Sequence, residues 1–324
     1  VLAAAAKGAD SADPLSCLAV GPWPEPAGEP GWTTVTVRAA ALNRHDLWTL
    51  SGVGPARRRM PVILGSDAAG IDEDGNEVIV HPVIGDPAAG RGDETLDPNR
   101  SILGEDHDGT FAERVAVPRR NLVPKPPGLS FEEAACLPGA WLTAYRMLFD
   151  RAGLEPGDTV LVQGAGGGVS TALLALGAAA GYRMWVTGRS AERRGRALEL
   201  GAQRAFEPGA RLPYRVDAVM ETVGEATWGH SLRSLRPGGR IVVSGATSGA
   251  MPPAELGHVF FRQLTVVGST LGTREQLRRL ALLCAECRLA PVVDRVLPLA
   301  RAREGFQALL AGQVFGKVVF LPPP

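Results

Sequence analysis

The 324-residue chain carries 34 basic and 34 acidic side chains. That balance excludes an electrostatic platform for nucleic acid or an anionic membrane surface. Its 45% hydrophobic and 21% charged content is the composition of a soluble globular protein, and no apolar run approaches the roughly eighteen residues of a membrane span. The length allows one large or two ordinary domains.

Four scattered cysteines (Cys17, Cys136, Cys284 and Cys287) make no disulfide framework and suit a reducing cytoplasm. Cys284 and Cys287 form a CxxC, but the surrounding LRRLALLCAECRLA has helical periodicity and no second ligand pair is near. Two cysteines on a helix face are therefore expected, not a zinc or redox pair.

Along residues 1 to 122, proline, glycine and acidic residues recur between short β-like runs: Thr33 to Val37, Glu77 to Val80, Arg114 to Val117. The pattern predicts a compact, mainly β domain. Pro22, Pro24, Pro26 and Pro30 make an extended connector before Trp32, and the polar segment 83–108 reads as an excursion loop. From residue 123 the prolines and Gly128 punctuate a boundary, and Ser130 with Glu133 fits a capping box opening two helical patterns.

The run Asp158 to Ser190 is the most informative. Apolar Thr159 to Val162 suits a strand buried on both faces; Gly164, Gly166, Gly167 and Gly168 follow; Ala172 to Ala180 reads as a helix that Gly181 ends; Met184 to Thr187 is a second strand. Strand, glycine turn and helix in this order form a dinucleotide-binding unit, in which glycine lets the backbone approach a pyrophosphate and the helix N-terminus offers it free N–H groups. Gly164, Ala165, Gly166, Gly167, Gly168 and Val169 are the expected pyrophosphate contacts. No acid ends the second strand to hold a ribose 2′-hydroxyl; Gly188, Arg189, Ser190 and Arg193 stand there instead, which favours NADPH.

Further strands are expected at Ala218 to Glu221, Arg240 to Ser244 and Thr265 to Ser269, with RPGGR as a turn before the second of them. Helical segments between them, such as Thr227 to Leu235, complete the alternation of a doubly wound parallel sheet. Val223 and Gly224, like Gly245, Ala246 and Thr247, lie where that fold places ligands, outside the carboxyl ends of strands. A helix is expected over Arg274 to Cys287, and strands at Val292 to Val296 and Lys317 to Phe320.

Taken in order, AALNRHDLW (40–48), LGSDAAG (64–70), DGTFAERVAVP (108–118), LSFEEAACLPGAWLTAYRML (129–148), LRPGGRIVVSG (235–245), FFRQLTVVGSTLGT (260–273) and FGKVVF (315–320) resemble the medium-chain dehydrogenase/reductase superfamily. The resemblance implies an α/β protein with a GroES-like β domain made from both chain ends (1–122 and 288–324), a Rossmann domain with a doubly wound parallel sheet between them (123–287), and a cofactor cleft at their junction. It places Thr143 beside the nicotinamide and a cofactor contact near Lys317. A tyrosine that some NADPH-dependent members use on the adenosine side has no match, since FEPG (206–209) stands there.

The catalytic-zinc positions of that superfamily fall on Asn43, Ser66 and Gly139, none of them a usual zinc ligand, and the segment matching the structural-zinc lobe has no cysteine. No metal is expected. Zinc-free members of this kind are quinone oxidoreductases and enoyl or alkenal reductases, so the resemblance implies hydride delivery from NADPH to a quinone or to the β carbon of an α,β-unsaturated carbonyl. Asn43 is then a candidate to hydrogen-bond a substrate carbonyl or the nicotinamide ribose, or to fix a turn through its own backbone. His45 and His107 are candidate proton donors, Asp46 the cap of a helix opening at Leu47, and Trp48, Val53 and Met60 cleft or core.

Two other readings stay open: an alcohol dehydrogenase with unorthodox metal ligands such as Asp67 and His45, and a non-catalytic NADPH-binding protein. The family pairs edge strands of its Rossmann sheets, and FRQLTVVGST offers such a strand, so a homodimer is expected.

Overall fold

The computed structural model describes residues 1–53 and 60–323, which form two compact units, 1–142 with 272–324 and 143–271.

In the first unit, alternation of small and β-branched residues over Trp32–Leu42 builds the strand on which the rest is hung. Arg114–Pro118 pairs with its first half, and Ala68–Ile71 and Lys317–Leu321 flank its second half, all antiparallel. Glu77–Val80 and Leu122–Pro124 extend the sheet on one side and Val293–Pro298 on the other, giving seven strands. A smaller sheet of Leu18–Pro22, Leu2–Ala6 and Val62–Ile63 packs into the same core, where Phe111, Phe306 and Phe320 meet edge to face or stacked. The mainly β reading of this segment holds, with the C-terminal strand completing the sheet. Segment 83–108 is less of an excursion than its polarity suggests: Glu94, Asp97 and Glu105 within it are buried.

The second unit holds six parallel strands in the order Arg204–Phe206, Arg183–Thr187, Thr159–Val162, Val216–Glu221, Leu235–Val243, Thr265–Gly268. The order reverses between Thr159–Val162 and Val216–Glu221, which is the switch point of a doubly wound sheet. Thr159–Val162 is buried throughout, as its unbroken apolar run predicts. The RPGGR segment is not a separate turn. It is drawn into the strand Leu235–Val243, whose register against Val216–Glu221 slips between Val216 and Ala218 to absorb it.

Both unit boundaries lie inside the segment 123–287 assigned to the Rossmann domain by sequence. At the front, Ser130 and Glu133 do form their capping box, but the helix they open, Phe131–Ala135, packs on the β sheet of the first unit. At the back, Arg274–Cys287 packs on Leu137–Trp141, and the Arg274 guanidinium donates to the Leu122 carbonyl at 2.9 Å. Cys284 is buried on that helix and Cys287 exposed, both free thiols, with burial pushing the Cys284 pKa up to about 12. No helix among the described residues is long and apolar enough to cross a membrane.

Candidate functional site

Strand pairing in the first unit brings three polar residues to one place. Val318 lies opposite Leu42, and Ala40 opposite Ala68, so Lys317, Asn43 and Asp67 all fall at or just beyond the same end of three adjacent strands. Lys317 is 3% exposed, and its Nζ donates to Leu42 O at 2.8 Å, to Asn43 Oδ1 at 2.5 Å and to Asp67 Oδ2 at 3.4 Å. Gly139 completes the cluster: a Cβ on it would lie 2.7 and 2.8 Å from the Asp67 carboxylate oxygens and 2.9 Å from Asn43 Nδ2. The three positions matched to a catalytic zinc site, Asn43, Ser66 and Gly139, therefore do converge. Asn43 Nδ2 is buried there without a hydrogen-bond partner among the described residues.

Asn43 is also the N-cap of the helix Arg44–Leu50, three residues earlier than the opening expected at Leu47. Asp46 is accordingly in the first turn and not the cap. Its carboxylate accepts from the Asn43 N–H at 2.8 Å and the Gly65 N–H at 3.1 Å, and burial pushes its pKa up to about 6 against the pull of those donors. The first turn also aims His45 at Glu105, a 3%-exposed carboxylate from segment 83–108, and the two form an ion pair through His45 Nε2. Burial pulls the His45 pKa down, but the Glu105 hydrogen bond and charge, with Asp46 and Asp67 behind, outweigh it and leave the pKa raised. His107 does not join this group; it bonds Ser101 at 2.9 Å and packs on Trp32. Trp48 stands edge-on to His45, Val53 is exposed, and Met60 packs against the core.

Glu105 gave no sequence signal, because one acid in a polar loop looks like any other. Lys317, expected near the cofactor, has its ammonium surrounded by three acceptors from its own unit.

These side chains do not fit a zinc ion, which takes thiolate, imidazole or carboxylate donors in a tetrahedron. Asn43 Oδ1 and Asp67 are engaged by an ammonium, Ser66 bonds Asp67 at 3.4 Å, Gly139 has no side chain, and His45 is paired with Glu105. Among the described residues no group of three His, Cys, Asp or Glu is placed to hold a metal.

In the second unit the glycine turn does fit a dinucleotide. Gly164 and Gly166 have φ of +86° and +104°, which L side chains rarely adopt, and a Cβ on Gly164 would lie 3.0 Å from Val223 Cγ2. Ala165 is buried in the turn, and Gly167 caps the helix Gly168–Ala179, in which Val169 is half-buried; among the described residues no side-chain cap bonds its N-terminus. These groups are what an anion needs. The loop after Leu235–Val243 closes on the same place: Ser248 Oγ donates to the Val223 carbonyl at 2.8 Å, Thr247 Oγ1 faces the Thr222 carbonyl at 3.5 Å, and a Cβ on Gly224 would lie 2.9 Å from Ala246 Cα. The structure thus gathers Gly164 to Val169, Val223, Gly224 and Gly245 to Thr247 at the carboxyl ends of the strands.

Of the residues expected at a 2′-phosphate, Ser190 is the N-cap of Ala191–Glu199, accepting from the Arg193 N–H at 3.3 Å. Arg194 is held by the Gly188 and Arg189 carbonyls and Glu207. Arg189 is exposed, and its guanidinium has no partner among the described residues. Thr143, the first residue of this unit, is buried in the helix Leu142–Arg146.

A strand-rich unit closed by the chain's last strand, with a doubly wound parallel sheet as the second unit, is the architecture of a two-domain oxidoreductase. Residues 29–127 match the alcohol dehydrogenase GroES-like domain and 199–320 the zinc-binding dehydrogenase family. The chain is 33% identical over 315 residues, 90% of each chain, to a zinc-type alcohol dehydrogenase-like protein of Schizosaccharomyces pombe. Among solved structures it is similar to an NAD-dependent alcohol dehydrogenase (35% identity, TM-score 0.91, 99% of each chain). It is also similar to the 2-octenoyl-CoA carboxylase reductase CinF, solved with NADP and 2-octenoyl-CoA (26%, 0.90, 99% of this chain and 87% of that one). The chain belongs to the medium-chain dehydrogenase/reductase superfamily.

Proposed function

We propose that the protein is an NADPH-dependent, zinc-independent reductase of α,β-unsaturated carbonyl compounds or quinones. The observation that carries this reading is the Lys317 ammonium bonded to Asn43 and Asp67, inside the cluster where zinc-dependent chemistry would require a metal. Reduction of a conjugated carbonyl needs hydrogen-bond donors on an oxygen that gains negative charge, and a proton source; it does not need a Lewis acid to activate an alcohol. When bound, NADPH supplies the hydride.

The chain supplies the rest. Asn43 Nδ2, buried and without a partner, donates to the acceptor oxygen as charge builds there. His45, paired with Glu105 through Nε2 and with its pKa raised by that contact, releases a proton from Nδ1 to the reduced product. The glycine turn holds the pyrophosphate and Arg189 the 2′-phosphate. The likeness to a reductase solved with NADP and an enoyl thioester supports this reading. The free thiols support a reducing, cytoplasmic setting, and the open sheet edge at Thr265–Gly268 supports a homodimer.

The test is turnover of purified protein with NADPH against a panel of enones, enoyl thioesters and quinones, alongside elemental analysis. Consumption of NADPH without bound metal is expected. The likeness to an NAD-dependent alcohol dehydrogenase favours a second reading, alcohol oxidation on a metal held by Asp67 and His45. Stoichiometric zinc with NAD-linked oxidation of alcohols would establish it. Tight NADPH binding with no acceptor reduced would point to a non-catalytic protein.

A further inference from the structure

Lys317 lies a full 274 residues from Asn43 in sequence, yet its ammonium touches the Asn43 side chain and not the solvent. An ammonium has hydrogens to give and no lone pair to offer, so the atom of Asn43 that faces it has to be Oδ1. The other end of the amide is thereby fixed. Nδ2 and its two hydrogens point away from Lys317, on the side where Gly139 packs so closely that a Cβ on it would lie 2.9 Å from Nδ2. There Nδ2 finds no partner among the described residues, although a buried donor left unpaired costs on the order of 1–3 kcal/mol. Asn43 N–H is meanwhile held by Asp46 Oδ2, so the residue is clamped at its backbone and at its carbonyl end while its donor end is left over.

We infer that Lys317 is a positioning residue: its ammonium locks the Asn43 amide as a one-way donor aimed at a ligand oxygen, a carbonyl or enolate in the reading proposed above. The cation does this at one remove. It is also the fixed positive charge behind the donor, polarising the amide so that Nδ2–H is a stronger donor than an unassisted one. Gly139 is the second half of the device, because a Cβ there would press on Asn43 Nδ2 and the Asp67 carboxylate and push the amide out of this orientation. Asp67, 0% exposed, balances the charge and keeps the ammonium from turning toward Asn43 Nδ2's side of the cluster.

The proposal rests on the reductase reading for its substrate but not for its geometry, and two measurements separate the two. The first needs no turnover. In 15N-labelled protein the Asn43 side-chain amide, assigned by its loss in Asn43→Ala, should exchange its protons at least about tenfold faster in Lys317→Met than in wild type, and Lys317→Arg should restore protection. Equal exchange in wild type and Lys317→Met overturns the proposal whatever the enzyme reduces. Because Lys317→Met strands the Asp67 carboxylate, Lys317→Met/Asp67→Asn removes both charges together, and its melting temperature shows whether the fold persists.

The second is a kinetic cycle on whichever enone the wild type reduces. Removal of an oxyanion donor typically costs about 100-fold or more in kcat, so Asn43→Ala should fall by about that factor. Lys317→Met should fall by about tenfold or more, with the Kd for NADPH unchanged. In the Asn43→Ala background, Lys317→Met should cost less than about threefold further, since its effect runs through Asn43. Independent, multiplying losses would overturn the proposal, as would an NADPH Kd that moves in step with kcat. If no acceptor is reduced at all, the reductase reading fails and the exchange measurement alone decides this one.

Discussion

The hydroxyl of Thr187 gives its proton to Gln163 Oε1 at 2.6 Å and accepts one from the Gly164 N–H at 3.3 Å. Thr187 ends one strand and Gln163 directly follows its neighbour Thr159–Val162, so this pair ties the start of the glycine turn to the strand that leads to Arg189. The line continues through buried groups. Gln163 Nε2 donates to His230 Nδ1 at 2.9 Å and Ser231 Oγ at 3.0 Å, and Ser231 donates to Glu221 Oε2 at 2.6 Å. Glu221 is fully buried and accepts from the Val223 and Gly224 N–H groups. One hydrogen-bonded line thus connects three of the loops assigned to the cofactor.

Thr187→Val keeps the shape and removes the hydroxyl. Gly164 N–H and Gln163 Oε1 each lose a buried partner, a loss of about 1–3 kcal/mol. We expect a stability drop in that range by urea unfolding and NADPH binding weaker by about tenfold, because the turn loses its anchor. If binding is unchanged while stability falls, the line holds the sheet and not the site.

Arg189 sets the next expectation. Its guanidinium is exposed and without a partner among the described residues, which suits a group that waits for an anion. A charge-assisted contact to a phosphate is worth about 1.5–3 kcal/mol, or roughly ten- to a hundredfold in affinity. Arg189→Asp should therefore weaken NADPH by about that factor or more and leave NADH nearly unchanged, measured by fluorescence titration. Equal losses for both cofactors would remove the 2′-phosphate pocket from this place.

How far the sequence spoke depends on whether a feature is local. The strand Thr159–Val162, the glycine turn and the Ser130–Glu133 capping box are local, and their patterns were legible residue by residue. The convergence of Asn43, Ser66 and Gly139 was legible only through family resemblance. Glu105, Glu221 and the role of Lys317 were not legible, since each depends on burial and on partners from 10 to 274 residues away. The unit boundaries slipped for a related reason: Phe131–Ala135 and Arg274–Cys287 are helices like those of a Rossmann domain, and nothing local says that they pack on the β unit instead.

The His45–Glu105 pair predicts a pH dependence. The folded pKa of His45 is raised above its unfolded value of about 6.5, so the folded state binds the proton more tightly. The stabilisation is fully present below that unfolded value and is lost as pH rises through the folded pKa. Glu105→Gln removes the first two influences that raise the pKa. It should flatten melting temperature against pH in that window and shift the basic limb of the rate profile to lower pH. A His45 imidazole titrating at the same pH in both proteins, followed by NMR, would show that Glu105 does not tune it.

The outermost strand of the second unit, Thr265–Gly268, is paired on one side only. Beside it the chain exposes an apolar group out of keeping with a solvated surface: Phe261 is 81% exposed, Leu256 69%, Phe260 62% and Val266 48%. An open strand edge next to exposed phenylalanines is an aggregation hazard unless something covers it, and a two-fold axis lets the same edge of a second copy do so. Two such sheets joined edge to edge would bury the strand's free N–H and C=O groups in hydrogen bonds and the four side chains against their symmetry mates. Sedimentation velocity should show a homodimer for the wild type. Phe261→Asp with Val266→Asp places four charges in the shared interface of the pair and should yield monomers whose NADPH affinity is preserved, since neither residue is among those assigned to the cofactor. A wild type that sediments as a monomer across the micromolar range would refute the dimer and leave the edge strand in need of a different cover.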